Sequence, residues 1–209
     1  MSVNKNSIKE SGRSMIEMLG VLAVIGVLSV GGIAGYSKAM ERYRINETIN
    51  QITHIVQNTR DLFKSQKDYT GLNNYKTLDI IAKFMPESVR RNNYNHLWNF
   101  PITFYVTGLY KEGDNKAFML YYNSIPMEAC VALTTYDWKS LGVVALRTWG
   151  GTINQGPSYY AQNAYKGNCI TKYKKSDGLF CYKDIPATPE QASLVCDSEN
   201  YNFLYFKFY

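Results

Sequence analysis

Cysteine is missing from the first 129 residues, charge is missing from residues 18–36, and histidine occurs only as His54 and His96. Each absence excludes something. The four cysteines, Cys130, Cys169, Cys181 and Cys196, contain no C-x-x-C pair, and no histidine has a cysteine close to it in sequence. The spacings of a zinc site are therefore lacking, and no metal or cofactor is expected. No serine–histidine–aspartate order and no paired carboxylates stand out as a catalytic group. The loop-like stretch 150–167, with Gly151, Gly156 and Pro157, does not have the spacing that cradles phosphate. We therefore expect no catalytic residues and no enzymatic activity.

What the chain does have is a long apolar run near its start. From Met18 to Tyr36 nothing is charged, and about 20 such residues suffice to cross the hydrocarbon core of a bilayer as a helix. Glu17 stands at the head of that run. A carboxylate at the centre of a membrane segment costs about 3 kcal/mol, less toward its end, so this acid calls for a partner or a role. Two roles are compatible with the residues. Ser14-x-x-Glu17 has the form of a capping box, in which Glu17 would reach back to an unpaired N–H at a helix start. Alternatively, Glu17 pairs with a charge on another molecule. Gly31-x-x-x-Gly35 adds the small-residue spacing that lets membrane helices approach one another.

Gly12, then Arg13-Ser14-Met15-Ile16, then Glu17, followed by Met18-Leu19-Gly20-Val21-Leu22 and an unbroken apolar helix, resembles the N-terminus of a type IV prepilin. The resemblance covers residues 12 to about 65. It implies that a prepilin peptidase cuts after Gly12, that Arg13 becomes the first mature residue and is N-methylated, and that Glu17, fifth in the mature chain, guides assembly. Arg13 departs from the family pattern, which usually has a large apolar residue there.

The cysteines all lie in the C-terminal half, and an even number confined to one domain indicates disulfides and an oxidising compartment. Three connectivities are open. We favour Cys169–Cys181, which closes a local loop, and Cys130–Cys196, which would staple the C-terminal strand to the core. Lys5, Lys9 and Arg13 on one side of the apolar run balance Lys38, Arg42 and Arg44 on the other, so basic residues do not orient the helix. The cysteines and the resemblance place the N-terminus in the cytoplasm. The net charge of +6 is a mild excess. It permits contact with anionic surfaces but does not demand it.

No proline interrupts residues 36–67, and beyond the apolar run the pattern becomes amphipathic. Ile45, Ile49, Ile52, Val56 and Phe63 keep helical spacing, with Arg42, Asn46, Asn50, Gln57, Arg60 and Lys64 on the other side. One helix over residues 14–65 would be roughly 75 Å long. A short second helix is expected over 75–84, stopped by Pro86, then an asparagine-rich connection. Strands are expected at 102–106, 117–122, 143–149 and 201–209, with a helix carrying Cys130 over 127–138. The fold class is thus α+β. A long N-terminal helix, half membrane-spanning and half amphipathic, packs on a small antiparallel sheet with a disulfide-stapled C-terminal region. This order of elements resembles the type IVb branch of the pilins.

The expected organisation is a leader (1–12), a transmembrane and assembly helix (13–36) and a periplasmic or extracellular globular domain (37–209). The resemblance implies a structural filament subunit. It would be stored in the bacterial inner membrane as a single-pass precursor, then polymerised. Its partners would be the peptidase, membrane lipid, an inner-membrane assembly platform and copies of itself. A pseudopilin of a type II secretion system and a minor pilin are the alternatives within the family. A DNA-uptake receptor using Arg90, Arg91, Lys172, Lys174 and Lys175 is a third. Nucleic acid is not favoured as a partner, because charges of that kind are more often a solvated face.

Overall fold

The structure is a computed structural model that describes residues 11–72, 85–151, 164–197, 199 and 201–209. The helix expected over 75–84 lies outside the described residues, as does most of the loop expected over 150–167. The chain divides into two compact units, residues 1–43 and 44–209. The first helix, α1 (Ser11–Phe63), contributes to both.

In the second unit α1 is amphipathic. Ile52, Ile55 and Val56 are buried, while Asn50, His54 and Gln57 face solvent. The same stripe buries Thr48 and Thr59, which the apolar pattern did not reveal. Their hydroxyls donate back to the carbonyls of Arg44 (2.8 Å) and Ile55 (2.7 Å), which removes the cost of burying them. A short helix, α2 (Glu87–Arg91), follows, and Val89 anchors it in the core.

Six antiparallel strands form one sheet: β1 (Thr103–Thr107), β2 (Ala117–Ile125), β3 (Val143–Gly151), β4 (Lys172–Lys174), β5 (Asp177–Cys181) and β6 (Tyr201–Phe208). Their order is β1-β2-β6-β3-β5-β4. The last strand therefore sits in the interior of the sheet, bonded to β2 on one side and β3 on the other. Alternation along the strands sorts side chains to two faces. Phe118, Leu120, Tyr122, Leu204, Phe206, Phe208, Leu146 and Phe180 join Ile52, Ile55 and Val56 of α1 in the main core. Met119, Tyr121, Phe203 and Tyr205 form a second buried cluster, with Tyr121 and Tyr205 directly opposite and their rings stacked 4.5 Å apart. In the centre of the sheet both faces are buried.

α3 (Met127–Thr134) is shorter than the expected helix over 127–138. Trp138 accounts for the difference. It is fully buried, and its indole N–H donates to the carbonyl of Leu133 at 2.8 Å, satisfying one of the acceptors a helix end leaves open. Asp137 then accepts from the Lys139 N–H and starts a single 3₁₀ turn, Lys139–Leu141. The β4–β5 hairpin and α4 (Pro189–Val195) were not anticipated. α4 nevertheless carries a readable start signal. Thr188 and Gln191 form a complete capping box, with Pro189 in the first turn.

Candidate assembly helix and disulfide-bounded region

The first unit is helical over its described residues, and side chains 15–39 are all exposed. They include Met15 (72% exposed), Leu19, Leu22, Val27, Val30 and Ile33. Covering one such side chain is worth about 1.5–3 kcal/mol, so a stripe of them left in water is strongly unfavourable. A Cβ placed on Gly20, Gly26, Gly31, Gly32 or Gly35 would meet nothing within 4 Å. Among the described residues this is the one helix long and apolar enough to cross a membrane.

Gly12, Arg13, Ser14 and Glu17 all lie within α1. Ser14 lies within α1 as far as the described residues extend, which is from Ser11 onward. Glu17 itself is exposed, one helical turn beyond Arg13.

Disulfides join Cys130 to Cys196 (Cα–Cα 5.9 Å) and Cys169 to Cys181 (5.8 Å). The first ties the buried face of α3 to the end of α4, and the second ties the segment before β4 to the end of β5. Thr134 of α3 and Thr148 of β3 share a buried hydroxyl–hydroxyl bond of 3.2 Å beneath that region. Asp197, just after Cys196, organises the approach to β6. Its Oδ2 accepts from Ser176 Oγ (2.9 Å), and its N–H donates to Asn202 Oδ1 (2.6 Å). Asn202 in turn donates to the carbonyls of Ile125 and Asp197.

His96 is a structural centre that sequence reasoning passed over. It is fully buried and stacks on Tyr122, with ring centroids 5.4 Å apart. Its Nδ1 accepts from the Trp98 N–H (3.2 Å), so Nε2 carries the proton and donates to the carbonyl of Asn123 (2.9 Å). Burial, only partly offset by the Asn123 bonds, holds its pKa down to about 4. Asn92 donates to the carbonyls of Asn95 and His96, and the loop closes with His96 N–H on Phe100 O. The asparagine-rich connection is thus an ordered loop hung on one imidazole.

The basic residues considered for nucleic acid do not converge. Arg90 and Arg91 are on α2, which leads through the His96 loop to edge strand β1; Lys172 and Lys174 are on the opposite edge strand, β4. Five strand spacings separate the two edges, about 24 Å. Arg91 is paired with Glu87, and Lys174 lies opposite Asp177. Among the described residues no group of three or more histidine, cysteine or acidic side chains could hold a metal ion.

The pattern of a family described as PilS N terminal matches residues 42–154. No curated protein matches the chain. Among solved structures the fold is similar to TcpA, a type IV pilin from Vibrio cholerae El Tor biotype. The TM-score is 0.50 and the identity 10%, over 80% of this chain and 99% of that one. At that identity the likeness is one of fold. The helix, the six-stranded antiparallel sheet and the two C-terminal disulfides make a pilin-like α+β architecture. With more than half of its length matched by the family pattern, this chain belongs to the PilS family of type IV pilins.

Proposed function

We propose that the chain is the subunit of a type IV pilus-like filament and polymerises through residues 13–36. The precursor is held in the inner membrane with its N-terminus in the cytoplasm, and a prepilin peptidase removes residues 1–12. An assembly platform then extracts the mature subunit from lipid into the filament. The observation that carries this reading is the uncovered apolar surface of residues 15–39 in a chain of pilin family and fold. Such a surface is stable in lipid and equally stable against copies of itself, so transfer from one to the other is nearly neutral in hydrophobic terms. The open space around Gly26, Gly31, Gly32 and Gly35 lets neighbouring helices approach closely.

Specificity then has to come from a polar contact. Glu17 supplies it by pairing with the new amine of Arg13 on a neighbouring subunit. Either charge left alone in an apolar filament core costs about 3–5 kcal/mol, which makes misregistered addition unfavourable. The test is electron microscopy of filaments sheared from cells that produce this chain, with mass spectrometry of the subunit N-terminus. Filaments whose subunit begins at Arg13 are expected. A mature N-terminus beyond Glu17 would overturn the reading. Processed subunits present only in trace amounts within filaments built of another protein would reassign the chain as a minor pilin or pseudopilin.

A further inference from the structure

Within the second unit, the two ends of the amphipathic part of α1 carry opposite charge. Arg44 and Arg60 lie about 24 Å apart along its axis, at about 1.5 Å per residue. At the Arg60 end a groove of about 490 Å³ is lined by Arg60, Lys64, Lys67 and Lys116, with Asp68 as the one carboxylate among the described lining residues. At the Arg44 end the order is reversed. Glu128, Asp197 and Glu199 line a second groove there, with Arg44 as the one cation among the described lining residues.

The charge at each end is not cancelled within the chain. Among the described residues, ion pairs join Arg91 to Glu87 and Arg147 to Asp177, and none reaches Lys64, Lys67, Lys116, Glu128 or Glu199. Those five side chains are exposed. Asp68 accepts from the Thr70 N–H at 2.8 Å and offsets only part of the charge of Lys67 and Lys116. Arg60 is held by the backbone carbonyls of Leu141 and Tyr209, which fix the guanidinium without removing its charge.

This distribution selects one type of contact between copies. A two-fold symmetric contact sets a patch against itself, which here places cations on cations or carboxylates on carboxylates. A head-to-tail contact sets unlike ends together, and when it does not close into a ring it builds an open helical filament. A small anion in the basic groove would leave the acidic end as it was. A second copy of the chain serves both ends with one contact.

We propose that the Arg60 end of one subunit docks on the Arg44 end of another, with Lys64, Lys67 and Lys116 facing Glu128 and Glu199. The docking rests on the polymerisation proposed above. Residues 13–36 supply the hydrophobic hold, and the charged ends fix the register in which the globular domains stack. Exposed charge pairs are individually weak and act on orientation and specificity more than on affinity. Repeated at every subunit, they favour one stacking over all others.

The test uses three variants of the full-length precursor: Lys64→Glu with Lys67→Glu, Glu128→Lys with Glu199→Lys, and all four changes together. Immunoblotting of the envelope follows accumulation, and electron microscopy and shearing follow filaments. Each double variant should yield at least about tenfold less filament than the wild type. The fourfold variant should recover most of that loss, because reversing both ends restores the match. In wild-type filaments, a zero-length carbodiimide should join Lys64, Lys67 or Lys116 to Glu128 or Glu199. Such a link cannot span the roughly 24 Å between the two ends of one chain, so it reports a contact between copies. Normal yield in either double variant, a fourfold variant no better than the doubles, or no such cross-link overturns the docking. Loss of filaments from the lysine reversals alone also overturns it, and assigns the basic groove to an anion from outside the chain. Wild-type cells without filaments would remove the polymerisation and the docking together, whereas wild-type filaments indifferent to the reversals remove the docking alone.

Discussion

Arg60 of α1 donates through Nε to the backbone carbonyl of Tyr209, 2.7 Å away and 149 residues later in the chain. Its Nη2 reaches the carbonyl of Leu141 at 2.6 Å. One guanidinium thus joins the helix to the end of β6 and to the turn that enters β3. Sequence spacing alone assigned Arg60 to the solvated side of α1.

Arg60→Ala should lower stability by about 1–3 kcal/mol, the range for hydrogen bonds to a charged donor. Gly142→Ala should cost a similar amount by a different route. Gly142 has φ of 65°, a region costing other residues about 1–2 kcal/mol, and a Cβ there would lie 2.5 Å from Arg60 Nη2. Because both changes disturb the same contact, the double variant should be less destabilised than the sum of the two single variants. Denaturant unfolding measures all three. Strict additivity would mean that the two residues act separately.

His96 makes folding sensitive to acid. Its folded pKa of about 4 lies below the ordinary 6.5, so the unfolded chain takes up a proton first as pH falls. The contribution is fully present above about 6.5 and is lost between about 6.5 and 4, up to about 3 kcal/mol in all. His96→Phe should be less stable at neutral pH, because Trp98 N–H and Asn123 O lose their partner. Its stability should nonetheless be flatter through that window. Parallel pH profiles for the two proteins would remove His96 as the cause.

The two disulfides should differ in weight. In the chain-entropy account, closing 66 residues between Cys130 and Cys196 is worth about 4 kcal/mol, and closing 12 between Cys169 and Cys181 about 3 kcal/mol. Cys130 is also fully buried in the main core. Replacing the first pair by alanine should therefore depress the thermal midpoint more than replacing the second. The reverse order would show that the hairpin, and not the α3–α4 junction, limits stability.

Glu17→Gln tests the proposed assembly contact. Glutamine keeps the length and most of the hydrogen-bonding capacity of glutamate but not its charge. The variant should be processed after Gly12 and reside in the membrane, yet form no filaments, as judged by immunoblotting of envelope and sheared fractions. Normal filaments would show that the charge is dispensable and would sink the Arg13–Glu17 pairing.

The sequence by itself determined the elements whose signals are local. The apolar run of α1 needs only consecutive residues to be recognised, and its amphipathic continuation needs only a 3.6-residue period. β1, β2, β3 and β6 were legible as β-branched and aromatic runs, and each was placed within a few residues of its observed bounds. What the tertiary structure alone decided are the relations between distant segments. No local pattern says that β6 inserts between β2 and β3, that the other face of the sheet is also buried, or that α3 stops at Thr134 because Trp138 folds back beneath it. The role of His96 emerges only where the fold brings Tyr122, Asn123 and Trp98 around it. Such sites depend on burial and on partners far away in sequence, which a period of 2 or 3.6 residues cannot encode.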